Sequence, residues 1–547
     1  MIETRLTRDH VERYTSAGHW GDLLLRDHVD RHRKRSPNQV AVVDTTRSLT
    51  YAELLETADR VAANLLALGL RRDDVVSAQL PNWSEFVVLL LAVERFGAIL
   101  NPITTILRER EVRQILRLAA SRCLVVARTF RGFEHLEMAL SLREVLPALE
   151  HVIVARAPGT DGALSWDAVE RDPSKGKEIV RALDLLRPRS NDVTELAFTS
   201  GTTGMPKGVM HTHNTALSTV GSTLRRQKIG PSDVIHVALP VGHNAGYFYG
   251  VRLALQSGAT LVMQESWDPG EAIRLIAHHG VTFTMGATTH LVDLLECAKR
   301  GDAAVSSLRV YMCGGASIPP TIAERAVREL RGRFCPVFGM TEHGHSTGTD
   351  DSTPIEKIVT TDGSFQPEMA ARVVDDRGAV LAAGREGRLQ LRGPFNFVGY
   401  VQGRAFTEPF FDGDDFFDTG DLGVIDAQGY LRITGRAKDL ILRGGENIPV
   451  KEIEDLLSTH PAVREVAIVG VPDSRLGERA VACVRLRDGM TLDLAALRGH
   501  LDDLRVTRQF WPEALVTCEE LPRTPSGKVQ KFVLRELPEV RGALTRG

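Results

Sequence analysis

Ten residues near the middle of the chain, TSGTTGMPKG (199–208), concentrate groups that could bind phosphate. The segment holds four hydroxyl side chains, three glycines and one cation, Lys207. Glycine lets the backbone approach a ligand closely, and hydroxyl groups and backbone amides donate hydrogen bonds to phosphate oxygens. The segment is not a Walker A loop, because Lys207 is followed by Gly208 instead of Ser or Thr. A flexible polar turn is the alternative, although a turn rarely has this composition.

The flanking residues predict the elements that would hold this segment in place. The apolar run TELAF (194–198) predicts a buried strand before it, and TALSTVGSTLRRQ (215–227) predicts a helix after it. From residue 194 to residue 340, similar strands alternate with helices of about 10–15 residues. This alternation predicts an α/β fold, with a mostly parallel sheet and helices on both of its faces.

The pattern changes after residue 365. AARVVDDRGAVLAAGREGRLQLRG (370–393) has short alternating strands separated by turn residues, which predicts antiparallel hairpins. A smaller α+β segment follows the glycine-rich run GRAKDLILRGGENI (435–448), so we place a domain boundary near Arg436–Lys438. A chain of 547 residues has room for about three or four structural units.

Composition argues against several function classes. The formal net charge is -3, so nothing indicates a nucleic-acid or anionic-membrane partner. The six cysteines show no CxxC spacing, which argues against a zinc site or a redox pair. The N-terminus lacks the apolar segment of a secretion signal, and the longest apolar stretch, FVVLLLAVERFGAIL (86–100), is too short and too charged to span a bilayer. We therefore expect a cytoplasmic protein.

The segment 199–208 resembles the phosphate-binding loop of the acyl- and aryl-adenylating superfamily, which includes acyl-CoA synthetases, peptide-synthetase adenylation domains and beetle luciferases. Further segments resemble other motifs of the superfamily in the same order along the chain: GGASIP (314–319), FGMTE (338–342), DTGD (418–421), GRAKDLI (435–441), GGENI (444–448) and PRTPSGKVQK (522–531). Within the superfamily, the chain is most similar to acyl-CoA ligases of the cyclohexanecarboxylate–CoA ligase type. It also resembles diterpenoid-acid ligases of the platensimycin type.

The resemblance implies a two-domain architecture. A large N-terminal domain (1–436) would consist of layered α/β sheets to about residue 365 and a small β-barrel over about 366–434. A small, mobile α+β domain (437–547) would follow, with Lys438 as the hinge between the two. Rotation at Lys438 would turn two faces of the C-terminal domain towards the site in succession, as hinges do by absorbing a large backbone change at a few residues.

The resemblance also implies a reaction in two steps. A carboxylate would join the α-phosphate of ATP with release of pyrophosphate, and the acyl group would then pass to CoA. Because two anions meet in the first step, charge neutralisation is its main requirement. The residues implied to bind ATP or AMP are Thr199, Ser200, Gly201, Thr202, Thr203, Gly204, Lys207, Gly315, Ala316, Ser317, Phe338, Gly339, Met340, Thr341, Asp421, Ile433 and Arg436.

The resemblance also implies individual roles within this set, and the side-chain chemistry suits them. Phe338 would stack on the adenine, where many relatives carry Tyr, and Thr341 would donate to the α-phosphate. Glu342 would help to hold Mg²⁺, a hard ion that prefers carboxylate and phosphate oxygens. Asp421 would accept from both ribose hydroxyls, since a carboxylate offers two acceptor oxygens, and Arg436 would support the ribose. Considered alone, Asp421 could equally be a turn aspartate.

The resemblance assigns two roles to the C-terminal part of the chain. Lys528 would bridge the incoming carboxylate and the α-phosphate during adenylation. In the second step another face would shape a channel for the thiol of CoA, with Arg443, Gly444, Gly445 and Glu446 along it.

The acid substrate is implied to bind at residues His243, Asn244, Ala245, Gly246, Tyr247, Gly286, Ala287, Thr288 and Gly314. Peptide-synthetase domains place an aspartate near 243–247 to bind an amine, and VGHNAGYF (241–248) has none, which argues against an amino acid. Small side chains leave room for a cyclic, bulky or medium-chain apolar acid. His243 would gate the carboxylate or the thiol path, whereas an isolated buried histidine is more often part of the core.

Two alternatives to an acyl-CoA ligase stay open. The enzyme could stop at acyl-AMP, or pass the acyl group to a carrier protein or partner enzyme in secondary metabolism. VTRQFWPEAL (506–515) departs from the lysine-x-proline of many relatives in a stretch that often contacts CoA. A catalytically retired nucleotide- or acyl-binding protein is the other alternative, and the intact Thr341, Glu342, Asp421 and Lys528 argue against it. The sequence does not indicate an oligomeric state.

Overall fold

The computed structural model describes residues 3–172, 183–199, 206–298, 305–315, 318–437, 441–443, 446–473, 476–504, 506, 508–523 and 528–544. Two seven-stranded sheets, sheet A and sheet B, form the centre of the N-terminal part. The strands of sheet A, in spatial order, are Arg333–Pro336, Val310–Cys313, Phe283–Gly286, Val234–Val237, Thr260–Met263, Val40–Val43 and Ser48–Thr50. The strands of sheet B are Lys207–Thr212, Val193–Thr199, Ile99–Pro102, Val75–Gln79, Cys123–Ala127, His151–Ala155 and Leu164–Ser165.

Both sheets are parallel except for one antiparallel pair at an edge of each. Parallel strands need long crossover connections, which here are mostly helices. The predicted α/β class with mostly parallel sheets is therefore confirmed. The helices of this part are Arg8–Ser16, Leu25–Arg35, Tyr51–Ala67, Ser84–Phe96, Glu109–Ala119, His135–Val145, Trp166–Glu170, His213–Gln227, Asn244–Gly246, Leu253–Ser257, Pro269–His279, Thr288–Cys297, Pro320–Glu329 and Ile355–Thr360.

The largest core packs around two long helices. Tyr51–Ala67 begins at a capping box, in which Thr50 and Glu53 each bind the other's backbone amide. Ser84–Phe96 is apolar on every side, and twelve of its thirteen residues are buried. A helix that is apolar all round belongs in a core, so this segment is an internal helix.

The β-rich part forms a four-stranded antiparallel sheet, sheet C. Its strands, in order, are Ala370–Val374, Glu386–Arg392, Phe417–Ile425 and Leu431–Arg436. The antiparallel hairpins predicted here are confirmed. The four described strands pair in a linear order, and an isolated bridge joins Tyr430, beside the last of them, to Ser364. Closure into a small barrel stays a prediction.

The C-terminal part has its own sheet, sheet D, and its own cores. The strands of sheet D are Glu446–Ile448, Ile441–Arg443, Gly477–Leu486 and Val463–Asp473, with Ala514–Thr517 paired to the third of them. The helices are Val450–Leu457, Leu494–Asp503, Lys531–Glu536 and Pro538–Arg541. Within the described ranges, every helix is too short or too polar to cross a lipid bilayer.

Two local structures differ from the sequence-based expectation. The phosphate-loop segment does not lead directly into a helix, because Lys207–Thr212 first forms a strand antiparallel to Val193–Thr199. The second difference lies after the helical turn Asn244–Gly246, where a single helix is expected and Tyr247–Arg252 forms a π-helix. Its last residue is buried and donates to Glu94 (Nη2–Oε1 2.6 Å), an ion pair that offsets the poorer geometry of the wider helix.

Candidate active site

The phosphate-loop segment is the connection of a β-hairpin. Thr199 ends one strand opposite Lys207, which begins the next. Gln402 donates to the carbonyl oxygen of Pro206 (2.8 Å), and Val401 donates to that of Gly208 (2.8 Å), so a neighbouring segment holds the base of the hairpin. The predicted phosphate ligands between the two strands lie outside the described residues: Ser200, Gly201, Thr202, Thr203 and Gly204.

Lys207 lies against an aromatic cluster. Its Nζ is 4.0 Å from the ring centre of Phe410 and 5.0 Å from that of Tyr400. Such cation–π contacts attract an ammonium group to the face of an aromatic ring and so help to hold it in place. The cluster therefore positions the predicted phosphate cation at one end of the site.

The FGMTE segment leads from sheet A into the site as a tight turn. Gly339–Met340 pairs with Gly344–His345 as a short antiparallel ribbon. The backbone amide of Phe338 donates to the hydroxyl of Thr347 (2.8 Å). The side chains of Phe338 and Ile433 both pack against the hydrophobic core of sheet C. Two residues of the predicted nucleotide site are thus attached to the same core.

A buried histidine fixes the backbone of Thr341. The carbonyl oxygen of Thr341 accepts from Nε2 of His211 (2.7 Å). Burial lowers the pKa of His211 to about 4, so the ring is neutral, and its Nδ1 accepts from the hydroxyl of Thr215 (3.0 Å). The sequence analysis does not identify this role of His211.

Glu342 is a buried carboxylate with one hydrogen bond from a tyrosine. The hydroxyl of Tyr400 donates to its Oε1 (3.0 Å), and burial raises the pKa of Glu342 against the opposing effects of Tyr400 and Lys207. Within the described ranges, no three His, Cys, Asp or Glu side chains gather to hold a metal ion by themselves. The residues present fit Mg²⁺ in its usual form in proteins, bound by one or two carboxylates and completed by phosphate oxygens and water.

Asp421 and Arg436 face each other across sheet C. The two residues are paired in register, and Nε of Arg436 lies 2.9 Å from Oδ1 of Asp421. Asp421 is almost fully buried, and its backbone amide donates to the hydroxyl of Thr419 (3.1 Å). The carboxylate and the guanidinium predicted to hold the ribose are therefore in contact.

Lys528 brings the C-terminal part of the chain to this cluster. Burial lowers the pKa of its ammonium group, the charge of Arg436 adds to that shift, and Asp421 and Glu342 oppose it. Lys528 also acts electrostatically on His243. Lys528 thus lies near residues of three separate parts of the N-terminal chain: sheet C, the segment around Glu342 and the segment around His243.

His243 is held as a neutral ring. Its Nδ1 accepts from the backbone amide of Ala245 (3.1 Å), and its carbonyl oxygen accepts from the amide of Tyr247 (3.0 Å). Burial, with the charge of Lys528, lowers its pKa to about 4. The proton therefore sits on Nε2, which makes His243 a hydrogen-bond donor at neutral pH rather than a base.

The remaining residues of the predicted acid pocket lie where two parallel strands of sheet A end. Gly286 ends one strand, and Gly314 directly follows the neighbouring strand Val310–Cys313. The amide of Gly314 donates to the carbonyl oxygen of Gly286 (3.4 Å). A Cβ at Gly286 would collide with the hydroxyl of Tyr311, and a Cβ at Gly314 would collide with Val337. Gly286 and Trp267 are among the residues that line a small cavity of about 10 Å³.

The other predicted residues are not all part of this cluster. Arg443 lies in sheet D, where its Nη2 pairs with Glu513 (3.0 Å). Gly315 is described with a φ of +83°. Besides the hairpin loop, five predicted residues lie outside the described residues: Ala316, Ser317, Lys438, Gly444 and Gly445. Glu446 begins a strand of sheet D.

Two contributors to the site have little or no signal in the sequence, whereas a third buried residue, Glu195, has one. Tyr400 and His211 support Glu342 and Thr341 through contacts that join distant segments of the chain. Glu195 has a visible signal, because it is a charge in the middle of the otherwise apolar strand TELAF.

Comparison with known proteins agrees with this geometry. The family model of AMP-binding enzymes matches residues 29–401, and that of the AMP-binding enzyme C-terminal domain matches residues 452–528. The chain is 33% identical over 527 residues to the medium-chain fatty-acid–CoA ligase of Escherichia coli, covering 96% of this chain and 92% of that protein. It is 34% identical over 545 residues to the salicyl-AMP ligase / salicyl-S-ArCP synthetase of Mycobacterium tuberculosis, covering 98% and 95%.

Among solved structures, ATP-bound MatB from Rhodopseudomonas palustris has a TM-score of 0.84 at 28% identity, covering 94% of this chain and 99% of that chain. Apo MatB from the same organism gives a TM-score of 0.71 at 29% identity, covering 94% and 99%. Two family models and near-complete alignments to ligases confirm the resemblance drawn from the motifs. The chain belongs to the family of AMP-binding enzymes.

Proposed function

We propose that this protein is an ATP-dependent acyl-CoA ligase. It activates a carboxylic acid as an acyl-adenylate, releases pyrophosphate and transfers the acyl group to CoA. The observation that carries the proposal is the placement of Lys528 among Asp421, Glu342 and Arg436. A cation delivered from the end of the chain to two buried carboxylates suits a reaction in which an acid anion meets a polyphosphate.

In the first step, a carboxylate oxygen forms a bond to the α-phosphorus and the bond from that phosphorus to the pyrophosphate oxygen breaks. Lys528 neutralises the approaching carboxylate and the α-phosphate, while Lys207 and the hairpin loop hold the departing pyrophosphate. Asp421 and Arg436 orient the ribose. Mg²⁺, held through Glu342, would supply further neutralisation of phosphate charge.

In the second step, the sulfur of CoA attacks the acyl carbon and AMP leaves. This step needs a different face of the C-terminal domain to be turned towards the site. The domain begins after residue 436, and it would rotate about the hinge at Lys438. Arg443, Gly444, Gly445 and Glu446 then line the thiol channel. The higher similarity to ATP-bound than to apo MatB supports the view that the present arrangement is the one for adenylation.

The substrate class is a cyclic, bulky or medium-chain apolar acid. Small residues and the absence of an acidic side chain at 243–247 favour an apolar body without an amine. The neutral His243 offers Nε2–H to the carboxylate instead of a charge. The 33% sequence identity to a medium-chain fatty-acid–CoA ligase also supports an apolar acid as substrate.

A second candidate is adenylation followed by transfer to a carrier protein. It is favoured by the near-complete alignment to a salicyl-AMP ligase / salicyl-S-ArCP synthetase. The segment 506–515 lacks the lysine-x-proline that many relatives have in a stretch that often contacts CoA, and this also favours transfer to a carrier protein.

Product analysis separates these candidates. The protein is incubated with ATP, Mg²⁺ and a panel of cyclic, aromatic, medium-chain and terpenoid acids, with and without CoA, and the products are identified by mass spectrometry. We expect a CoA thioester from one acid class. Acyl-AMP that persists in the presence of CoA would contradict the ligase and favour the carrier-protein candidate, whereas no acyl-AMP from any class would favour a retired binding protein.

Asp421→Asn is expected to raise the KM for ATP about tenfold with little change in the KM for the acid. The amide keeps one acceptor oxygen and loses the second, together with the ion pair to Arg436, and a lost charged hydrogen bond costs about 1.5–3 kcal/mol. ATP–pyrophosphate exchange measures both constants. Asp418→Asn is the matched control, because Asp418 lies on the same strand and pairs with Arg388 (2.5 Å) instead. An equal rise in the KM for ATP in both variants would contradict the ribose role of Asp421.

A further inference from the structure

A buried tyrosine that the proposed mechanism does not use lies beside the predicted acid pocket. Tyr311 is on the strand Val310–Cys313, next to the strand that ends at Gly286, and it is 2% exposed. A Cβ added to Gly286 would lie 2.2 Å from the hydroxyl oxygen of Tyr311 and 3.0 Å from Cβ of His290. The Tyr311 hydroxyl thus occupies the space that a side chain at position 286 would need.

This hydroxyl makes no hydrogen bond within the described ranges. By contrast, the hydroxyl of Tyr51, which is also buried, donates to the carbonyl oxygen of Ala259 (2.9 Å). A buried hydroxyl without a partner destabilises the folded protein, and such a group is expected to have a role that outweighs this cost. The Tyr311 hydroxyl is therefore a candidate for binding a group of the substrate.

The space beside the hydroxyl is small. Tyr311, Gly286, His290 and Trp267 line a cavity of about 10 Å³, which is about the room that one water molecule needs. Its lining also includes apolar side chains of two neighbouring helices: Ala272, Ile276 and Leu294. The cavity suits one small group of an acid and is too small for an extended chain.

The histidines that line this cavity carry no charge at neutral pH. Burial lowers the pKa values of His236 and His290 to about 4, so both rings are neutral at pH 7. His236 also has partners on both sides, because its Nδ1 accepts from Thr284 (2.9 Å) and its Nε2 donates to Gln264 (3.0 Å). The lining therefore favours a neutral polar group over an ion.

The wall that faces Tyr311 is held in place by an aromatic contact and a hydrogen bond. The rings of Trp267 and His290 lie 4.5 Å apart, and Nε1 of Trp267 donates to Oδ2 of Asp293 (2.8 Å). His290 and Asp293 belong to the helix that begins at Thr288, a predicted acid-pocket residue. Burial raises the pKa of Tyr311 well above its usual value, so its hydroxyl is neutral and can donate or accept.

We propose that Tyr311 is a specificity-determining residue for the acid substrate: its hydroxyl forms a hydrogen bond with a neutral oxygen, in a hydroxyl or keto group, on the part of the acid away from the reacting carboxylate. The inference rests on the proposed function, because it assumes that the acid lies against Gly286. It narrows the substrate class to acids with an apolar body and one such oxygen.

Tyr311→Phe tests the proposal, because it removes the hydroxyl alone. The probes are cyclohexanecarboxylate, benzoate and octanoate, each compared with its monohydroxylated and, where they exist, keto derivatives in ATP–pyrophosphate exchange. For the best oxygenated acid, the wild type should have a kcat/KM about tenfold or more above that for the parent acid, since the parent leaves Tyr311 unpaired. In Tyr311→Phe this ratio should fall to about one, with the KM for ATP unchanged.

Tyr51→Phe is the matched control. It also removes a buried hydroxyl, but one that donates to Ala259 and lies outside the predicted acid pocket, so it should keep the wild-type ratio. Urea unfolding without acid gives a second readout that needs no turnover. Tyr51→Phe should unfold at a lower urea concentration than the wild type, because it leaves a carbonyl oxygen unpaired, whereas Tyr311→Phe should unfold at the same or a higher concentration.

Each outcome decides the proposal. A wild type that does not distinguish any oxygenated acid from its parent, or a Tyr311→Phe enzyme that keeps the wild-type ratio, overturns it. If neither parent nor oxygenated acids are adenylated, the proposed function fails separately, and urea unfolding then decides. A loss of stability in Tyr311→Phe as large as that in Tyr51→Phe, or a failure of Tyr311→Phe to fold, would show that the hydroxyl is structural and overturn its role in specificity. Unchanged or higher stability would support a hydroxyl that is retained for a ligand.

Discussion

Lys528→Ala is expected to lower the rate of acyl-AMP formation by about a hundredfold or more. The ammonium group faces the two carboxylates assigned to ribose and metal binding, Asp421 and Glu342. No other described cation from the C-terminal part is placed to neutralise an acid as it approaches the α-phosphate. The rate is measured by acid-dependent ATP–pyrophosphate exchange at saturating ATP and acid.

Two controls separate chemistry from folding. Lys531→Ala removes a cation three residues later, whose Nζ pairs with Glu454 (2.7 Å), and it should leave exchange within about twofold of the wild type. The second control supplies acyl-AMP and CoA to Lys528→Ala directly. Because Lys528 serves only adenylation in the proposed scheme, thioester formation should persist. Wild-type exchange by Lys528→Ala would contradict the role given to this residue and would also weaken the proposed function.

Local pattern and motif spacing predict the elements and the chemistry-bearing residues of this chain well. Alternating apolar runs predict the parallel sheets, and the apolar residues of Ser84–Phe96 predict a helix, which the structure shows to be buried. The motif residues Asp421 and Arg436 are 15 positions apart in sequence, yet strand pairing brings them into contact. These two motif residues meet because they lie in register on neighbouring strands of sheet C.

The features that the sequence does not reveal depend on contacts between distant segments. The strand Lys207–Thr212 is short and contains lysine, histidine and threonine, so only its pairing with Val193–Thr199 identifies it. The hydrogen bond from Tyr400 to Glu342 joins residues 58 positions apart. The π-helix ends at Arg252 because a buried carboxylate on another helix pairs with it. No local pattern encodes such partners.

Glu342→Gln is expected to reduce adenylation about a hundredfold or more and to raise the Mg²⁺ concentration needed for half-maximal rate. An amide keeps the shape of the carboxyl group and its contact with Tyr400, but it is a much weaker ligand for a hard cation, whose interaction with phosphate charge is worth several kcal/mol. The rate is measured by ATP–pyrophosphate exchange over a series of Mg²⁺ concentrations. An unchanged Mg²⁺ requirement would contradict the metal role of Glu342.

The same substitution is expected to leave the fold as stable as the wild type, or more so, at pH 7 and above. Burial raises the pKa of Glu342, so its folded state binds a proton more tightly than the unfolded state and the charged form opposes folding as the pH rises. Glutamine removes that charge. Urea unfolding at pH 6 and pH 8 measures the effect, and the difference between variant and wild type should be larger at pH 8.

Glu368→Gln is the matched control with the opposite expectation. Burial acts to raise the pKa of Glu368, but Arg225 and the hydroxyl of Ser222, which donates to Oε2 (2.7 Å), outweigh it and lower the pKa. The charged form of Glu368 therefore stabilises the fold, so its loss should reduce resistance to urea and leave Mg²⁺-dependent exchange unchanged. Opposite effects on stability and activity at Glu342 and Glu368 would indicate that Glu342 is retained for binding a cation at the cost of stability. A loss of stability at both positions would show instead that Glu342 is a structural carboxylate, and the Mg²⁺ site would have to be sought among other residues.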